Sequence, residues 1–188
     1  MYHKVKVQIS NRHVHLTKET YEKLFDEPLT KKNDLHQIGQ FAANQTLDIV
    51  GGDTVFENVR IVGPFRKYDQ VEISKNDARK LKINPPVRTS GDLKGSEHIT
   101  LRTDKASVTL DEGCIIADRH VHFNTNEADK YHVKNKDKLK LHILGEKRGT
   151  IEVFAKVSDD GYFEVHLDTD DGNAFMLEND DELVLEID

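Results

Sequence analysis

The stretch Asn11-Arg12-His13-Val14-His15-Leu16 near the amino terminus and the stretch Asp118-Arg119-His120-Val121-His122-Phe123 share the core Arg-His-Val-His. Side chains two positions apart on a β-strand project from the same face, so each histidine pair can offer two imidazoles to one ion. Two neighbouring imidazoles suit Zn²⁺. The repeat therefore predicts two metal half-sites in related halves of the chain. The alternative is two half-buried strands whose histidines only form local hydrogen bonds.

Residues that flank the histidine pairs have expected roles of their own. Asn11 and Asp118 each precede the first histidine of a pair by two positions, so they share its strand face and can hold an imidazole tautomer. Arg12 and Arg119 are expected on the opposite face, where they either bind substrate or form local pairs. Asp168, in a later His-Leu-Asp stretch, either orients an imidazole or caps a turn.

Composition describes a globular protein of 188 residues, long enough for one large domain or two small ones. The mean hydropathy is −0.65, and no apolar run approaches the roughly 20 residues of a membrane span. The first residues, Met1–Val7, alternate like a strand and do not resemble a signal peptide. We therefore expect a cytoplasmic protein without a membrane partner. The net charge of −7 argues against a nucleic-acid partner.

Cys114 is the single cysteine, so a disulfide framework and a thiolate-rich zinc cluster are excluded. Any metal must then bind to histidine, aspartate or glutamate. A nucleophilic Cys114 would need exposure and a nearby base. Because Gly113–Ala117 has the pattern of a buried strand, we expect an inert, packed thiol.

Short strands and brief capped helices make up most of the expected structure. Residues that can cap a helix stand before short helical patterns at Thr17, Ser74 and Asn124. Strand, short helix, turn and strand follow in the same order in both halves, whereas the segment of about 26–45 is expected to be irregular. This mainly β pattern with short helices favours small β-barrels over a sandwich or a doubly wound sheet.

A cupin-like enzyme or a metal-binding module with a single metal is the alternative function. His13-x-His15-x3-Glu19 and His120-x-His122-x4-Glu127 both fit the first metal motif of cupins. The glycines and the Pro-x-Gly of the cupin pattern are missing, and both glutamates fall within the expected helices. Amidohydrolases also begin with His-x-His, but their barrel needs about 250 residues.

Five motifs, in matching order and spacing over nearly the whole chain, resemble the PduL-type phosphate acyltransferases, also called phosphate propanoyltransferases. The motifs are Ser10–Leu16, Gly63–Arg66 with Gln70–Ser74, Val87–Gly95, Arg119–His122 and His166–Ala174. The resemblance implies an enzyme that interconverts acyl-CoA plus phosphate with acyl phosphate plus CoA. It also implies two Zn²⁺ per chain on a fold of two β-barrels capped by short helices.

The resemblance assigns the metal ligands. One zinc would be held by His13, His15 and Glu72, with a fourth position for the CoA sulfur. The other would be held by a second set with water or phosphate completing it, namely His120, His122 and His166. The strand alternation around Glu72 and His166 is compatible, because it places both on polar faces.

Two arginines receive roles from the same resemblance. Arg66 would be the catalytic residue that orients phosphate through its guanidinium. Arg88 would either bind the phosphates of CoA or pair with Asp92 and shape a loop. The acyl group, acetyl or propanoyl, stays open.

The implied barrels are interleaved. Residues 1–11 plus 118–188 would form one, and residues 12–117 would form the other with an excursion at about 26–45. Family members in microcompartments carry an amino-terminal extension, and since only ten residues precede Asn11, we expect a free cytosolic enzyme. The sequence does not settle the oligomeric state, and a homo-oligomer is possible.

Overall fold

The computed structural model describes residues 1–187, which contain fourteen strands and four short helices. The strands are β1 (Tyr2–Ser10), β2 (His13–His15), β3 (Lys31–Asp34), β4 (Phe41–Gly51), β5 (Thr54–Gly63), β6 (Gln70–Glu72), β7 (Val87–Arg88), β8 (Glu97–Arg102), β9 (Ser107–Ala117), β10 (His120–Phe123), β11 (Lys138–Ile143), β12 (Gly149–Val157), β13 (Glu164–Asp168) and β14 (Glu182–Glu186). The helices are α1 (Lys18–Leu24), α2 (Lys75–Leu81), α3 (Thr125–Tyr131) and α4 (Thr169–Phe175). The expectation of a mainly β chain with short helices is confirmed.

The chain divides into two compact units. Unit 1 consists of Met1–Asn11 together with the chain from Asp118 onward, and unit 2 is Arg12–Ala117. Each unit contains a closed barrel and one of the two histidine pairs.

The unit 1 barrel closes in the order β1-β13-β10-β12-β11-β14, with β14 returning to β1. It is mixed, because β1 runs parallel to β13 and antiparallel to β14. Its interior is filled by side chains such as Val7, Phe123 and Leu141, all fully buried. Each buried side chain of this kind contributes roughly 1.5–3 kcal/mol to stability.

The unit 2 barrel closes in the order β9-β6-β2-β5-β4-β8, because β8 pairs with both β4 and β9. Strand β3 adds to the outside of this ring through β4, and β7 adds through β9. The core includes Val14, Ile49 and Leu101, none of which is exposed. Unit 2 is thus a second mixed barrel of six strands with two strands attached.

The two barrels have the same order of paired strands. In each, a long strand runs in sequence towards a histidine pair that lies in the other unit: β1 leads to β2, and β9 leads to β10. The registers also correspond, since Val7 lies opposite Val165 in unit 1 and Cys114 lies opposite Val71 in unit 2. The fold is therefore built from two related halves whose first strands are exchanged between the barrels.

The helices form where capping residues precede them. Side chains of the N-cap residues accept a hydrogen bond from the backbone N–H three positions on, at Thr17, Ser74, Asn124 and Asp168. The capped helices expected after Thr17, Ser74 and Asn124 are confirmed. Each of the four helices in residues 1–187 has seven residues, and none of them is long enough to cross a membrane.

The segment of about 26–45, expected to be irregular, contains a strand pair. Lys31–Asp34 forms β3 and pairs with Phe41–Ala43 at the start of β4. All four residues of β3 are exposed, so the segment has no alternation of apolar and polar side chains. Periodicity therefore gave no indication of this edge strand.

Candidate metal centres

Three of the expected ligands come together in unit 2. Strand β2 pairs antiparallel with β6, and this register places His13 opposite Glu72. Ligand-capable atoms of His13, His15 and Glu72 all lie within 4.8 Å of one another. These residues are referred to below as the unit 2 cluster.

The side chains of the unit 2 cluster are held in a state suited to a cation. The Nδ1 of His15 lies 3.1 Å from the carbonyl oxygen of Val62, which leaves Nε2 for a metal. Burial, followed by the neighbouring His13, lowers the pKa of His15 to about 3. The imidazole is therefore neutral, as a metal ligand must be.

Glu72 is oriented by Gln70, which lies two residues earlier on β6. The amide Nε2 of Gln70 donates to Oε1 of Glu72, and Oε2 of Glu72 lies 3.6 Å from Nε2 of His13. One carboxylate oxygen is thus anchored and the other faces the histidine pair. Gln70 also donates to Ser90 Oγ at 2.9 Å and accepts from the backbone N–H of Gly91 at 2.8 Å.

Gly91 allows the loop after β7 to approach this network. Its φ is +92°, a conformation that favours glycine, and an added Cβ would lie 3.3 Å from the hydroxyl of Tyr68. Tyr68 in turn accepts a hydrogen bond of 3.1 Å from Nη1 of Arg66. The backbone N–H of Arg66 donates to Leu16 at 2.8 Å, just after the first histidine pair.

Arg66 and Arg88, the two arginines to which the resemblance assigns substrate roles, differ in how firmly they are held. Arg66 is half-buried, its backbone N–H binds the residue that follows His15, and its positive charge contributes to the lowered pKa of His15. Arg88 has Nε 3.7 Å from the Asp92 carboxylate, and 39% of its side chain is exposed. Arg88 is therefore only loosely paired.

Three histidines come together in unit 1. Strand β10 pairs antiparallel with β13, and His120 lies opposite His166. Ligand-capable nitrogens of His120, His122 and His166 lie within 4.8 Å of one another. This set is called the unit 1 cluster, and it occupies the same place in its barrel as the unit 2 cluster does in the other.

The separation of two nitrogens in the unit 1 cluster is compatible with tetrahedral coordination of one ion. The Nε2 atoms of His120 and His122 are 3.2 Å apart. Two nitrogens bound to one zinc at 2.0–2.1 Å with tetrahedral angles would be about 3.3 Å apart. Burial, followed by His120 and His166, lowers the pKa of His122 far below its usual value, so its imidazole is neutral, as a metal ligand must be.

Tyr162 and Glu164 complete the surroundings of His166, and the sequence reasoning missed both. The Tyr162 hydroxyl lies 2.8 Å from Nε2 of His166, and its ring stacks on His122 with centroids 5.3 Å apart. Glu164 is buried and has Oε1 3.4 Å from the same Nε2. Burial, followed by Glu164, raises the pKa of Tyr162. Glu164 could have been found by strand spacing, because it precedes His166 by two residues.

Comparison with known proteins identifies the family of this chain. The sequence profile described as phosphate propanoyltransferase matches residues 6–178. The chain belongs to the phosphate propanoyltransferase family. It is therefore an acyltransferase enzyme.

Relatives with that name cover most of the chain. The phosphate propanoyltransferase of Thermotoga maritima is 45% identical over 179 residues, which is 93% of this chain and 85% of the relative. That of Priestia megaterium is 45% identical over 97% of this chain and 86% of its own. That of Salmonella typhimurium is 43% identical over 91% of this chain and 83% of its own.

In this member of the family, none of the three residues expected to orient imidazoles is seen to do so through its side chain. Asn11 is exposed in the link between β1 and β2. Asp118 meets Nδ1 of His120 through its main-chain carbonyl at 2.7 Å, whereas its side chain accepts from the backbone N–H of Arg119. Asp168 caps α4 by accepting from the backbone N–H of Asp171 at 2.9 Å. The capping alternative for Asp168 is thus the one seen.

The cupin alternative is wrong for this family member. Glu19 lies on the exposed face of α1, where its carboxylate pairs with Lys23 at 2.8 Å. Glu127 closes a capping box with Asn124 at the start of α3. Neither glutamate belongs to the metal-capable groups found among residues 1–187. The Glu19 carboxylate contacts Lys23, and that of Glu127 accepts from the backbone of Asn124.

Cys114 is fully buried in β9 of this acyltransferase, as expected. Burial, with a smaller contribution from Glu97, raises the pKa of its thiol to about 12. A thiol in that state is not ionised at neutral pH and does not act as a nucleophile.

Proposed function

We propose that the enzyme interconverts acyl-CoA plus phosphate with acyl phosphate plus CoA, with an acetyl or propanoyl group, and that it binds two Zn²⁺. The observation that carries the proposal is the pair of metal-capable clusters, one with a carboxylate and one with three imidazoles, in a member of this family. His13, His15 and Glu72 would hold one ion. The other would be held by His120, His122 and His166.

The reaction requires phosphate to attack a thioester while a thiolate leaves. Zinc, when bound, stabilises a coordinated thiolate and the negative charge of a bound phosphate. The fourth position at the unit 2 cluster is assigned to the CoA sulfur, and that at the unit 1 cluster to water or phosphate. The neutral donors of the unit 1 cluster leave the full charge of a divalent cation for a highly charged anion.

The chain's own residues bind and orient the reactants. Val62 and Gln70 fix His15 and Glu72, so the donor atoms of unit 2 are preorganised before substrate arrives. Arg66 orients phosphate through its guanidinium, which Tyr68 holds at Nη1. Because Cys114 is buried, the acyl group passes directly to phosphate without a covalent enzyme intermediate.

Arg88 is the candidate for the phosphates of CoA. Its contact with Asp92 is 3.7 Å long and its side chain is partly exposed, so a phosphate can displace the carboxylate. A surface pair of this kind contributes at most about 1 kcal/mol.

The proposal is tested by combining a metal assay with an activity assay. Zinc content per chain is measured on the purified enzyme, and free thiol released from acetyl-CoA, propanoyl-CoA and longer acyl-CoAs is followed with and without phosphate. We expect two zinc ions and phosphate-dependent thiol release that a chelator abolishes. A single iron or manganese, or thiol release that is independent of phosphate, would contradict the proposal.

A further inference from the structure

Each histidine pair is preceded by an arginine that is joined to an aspartate on a helix of the same unit. In unit 2, Nε and Nη2 of Arg12 donate to the two carboxylate oxygens of Asp77 at 2.9 and 2.7 Å. In unit 1, Nε and Nη2 of Arg119 donate to the two oxygens of Asp171, both at 2.7 Å. These two bidentate contacts are called Arg–Asp forks.

The aspartates of the two forks occupy equivalent positions in their units. Asp77 and Asp171 each occupy the third position of a helix, where their backbone N–H groups donate to the N-cap side chains of Ser74 and Asp168. The helix begins three residues after the third metal ligand in both units. A single buried residue, Ile73 in one unit and Leu167 in the other, separates the ligand from the N-cap.

The ligands of unit 2 lie at the end of a short ladder. Strand β2 begins at His13 and β6 ends at Glu72, and these two residues are paired. Both strands have three residues, so the ladder between them is short, although each is also paired on its other side, β2 with β5 and β6 with β9. Ends of short elements open at low free energy. The Arg12–Asp77 fork lies just beyond this end and joins the residue that precedes β2 to the helix that follows β6.

We propose that Arg12 and Arg119 are positioning residues and do not bind substrate: each fork fixes the distance between a histidine pair and its third ligand. This inference rests on the proposed zinc sites. The Nε and Nη2 edge that an arginine uses to grip a phosphate is already engaged in both forks. Arg88, with one carboxylate oxygen at 3.7 Å, is not held in this way.

The contribution of the fork differs between the units. In unit 1, β13 continues to Asp168 and stays paired with β1, where Ser10 lies opposite Asp168. In unit 2, β6 ends at the ligand itself, and contact with β9 continues through the backbone N–H of Ile73, which donates to the Ile115 carbonyl at 3.1 Å. The Asp77 side chain is also less exposed than that of Asp171, at 5% against 15%. The unit 2 cluster therefore depends more on its fork.

The test measures zinc affinity by competition with a chromogenic chelator in chains that keep one cluster. In His120→Ala, which keeps the unit 2 cluster, adding Asp77→Asn should raise the zinc dissociation constant at least about tenfold. In His13→Ala, which keeps the unit 1 cluster, Asp171→Asn should weaken zinc binding by a smaller factor. Exchanging the two aspartate variants between these backgrounds should change neither affinity.

A matched control is Asp48→Asn, which removes the 3.1 Å contact of Asp48 with Arg102 between β4 and β8 of unit 2. It should leave zinc affinity unchanged. If Asp77→Asn does not fold, Arg12→Lys keeps the positive charge, removes the fork and should weaken zinc binding in the same background.

The outcomes separate this inference from the proposed function. A wild-type chain that binds no zinc would contradict the zinc sites themselves. Two zinc ions in the wild type, with unchanged affinities in the Asp77 and Asp171 variants, would contradict the positioning role alone. A lower melting temperature of the zinc-free variants at unchanged zinc affinity would likewise assign the forks a purely structural role.

Discussion

The two clusters share a scaffold and differ in one ligand. In each barrel a His-Val-His strand lies antiparallel to a short strand that carries the third ligand, which is Glu72 in unit 2 and His166 in unit 1. The residue two positions before the third ligand differs in a complementary way. Gln70 donates an amide hydrogen to the Glu72 carboxylate, whereas Glu164 places a carboxylate beside the His166 imidazole.

This difference teaches how one fold can support two cation sites of unequal charge. Two imidazoles and an ionised carboxylate carry one negative charge, so a bound divalent ion would keep one positive charge. Three neutral imidazoles would leave both positive charges on the ion. The first environment suits a thiolate with a single charge, and the second suits a phosphate with more than one. In unit 2 the neighbouring residue, Gln70, donates a hydrogen bond to the third ligand, whereas in unit 1 Glu164 contributes a nearby negative charge.

The most severe test of the comparison removes one histidine from each cluster. His13→Ala and His120→Ala should each lose one zinc per chain, because each variant removes a donor from a separate site. Turnover should fall by about 1000-fold or more in both, a loss of about 4 kcal/mol in transition-state stabilisation. Zinc content and thiol release are measured on the same preparations. Full zinc occupancy in both variants would show that the clusters do not bind metal.

The next test asks whether turnover can be separated from metal binding. Arg66→Ala should cut turnover by roughly 100-fold, about 3 kcal/mol, while both zinc ions stay bound. Arg66→Lys should rescue little, because an ammonium group does not reproduce two parallel hydrogen bonds. Arg79→Ala, which removes an exposed arginine from α2, serves as the control. Unchanged turnover and phosphate KM in Arg66→Ala would make Arg88 the next candidate.

A smaller effect is expected when the two neighbours of the third ligands are made alike. Glu164→Gln gives unit 1 the residue type found at position 70 and removes the carboxylate beside His166. The zinc affinity of the unit 1 cluster should fall about tenfold, and that of the unit 2 cluster should not change. Glu182→Gln, at an exposed pair with Lys4, is the matched substitution in the same unit. Equal affinities in wild type and Glu164→Gln would show that the carboxylate does not support His166.

Which contacts could be predicted from the sequence depends on how far apart the interacting residues are along the chain. The histidine pairs could be predicted because both members lie on one strand, and the helices could be predicted from adjacent capping residues. Glu72 and His166 are brought to the pairs only by the register of β2 with β6 and of β10 with β13. Strand spacing could not supply that register, so their assignment came from the resemblance.

The Arg–Asp forks within each unit could not be predicted, for the same reason. Arg12 and Asp77 are 65 residues apart, and Arg119 and Asp171 are 52 apart, so no local pattern joins them. Ser74 and Asp77 were predicted as a capping motif from their spacing alone. The structure shows that the Asp77 carboxylate also accepts hydrogen bonds from Arg12, a contact that depends on the tertiary fold.

The smallest effect is expected from a substitution of Cys114 by the residue found at the equivalent position of the other barrel. Cys114 lies opposite Val71 in unit 2, and the equivalent position in unit 1, opposite Val165, is Val7. Cys114→Val should therefore change the free energy of unfolding by less than about 1.5 kcal/mol and leave turnover and zinc content as in the wild type. Because burial raises the pKa of the thiol to about 12, the folded wild type should also resist alkylation at pH 8 and react after denaturation. A loss of turnover by more than about tenfold, with both zinc ions retained and the melting curve unchanged, would instead indicate an acyl-cysteine intermediate and overturn direct transfer to phosphate.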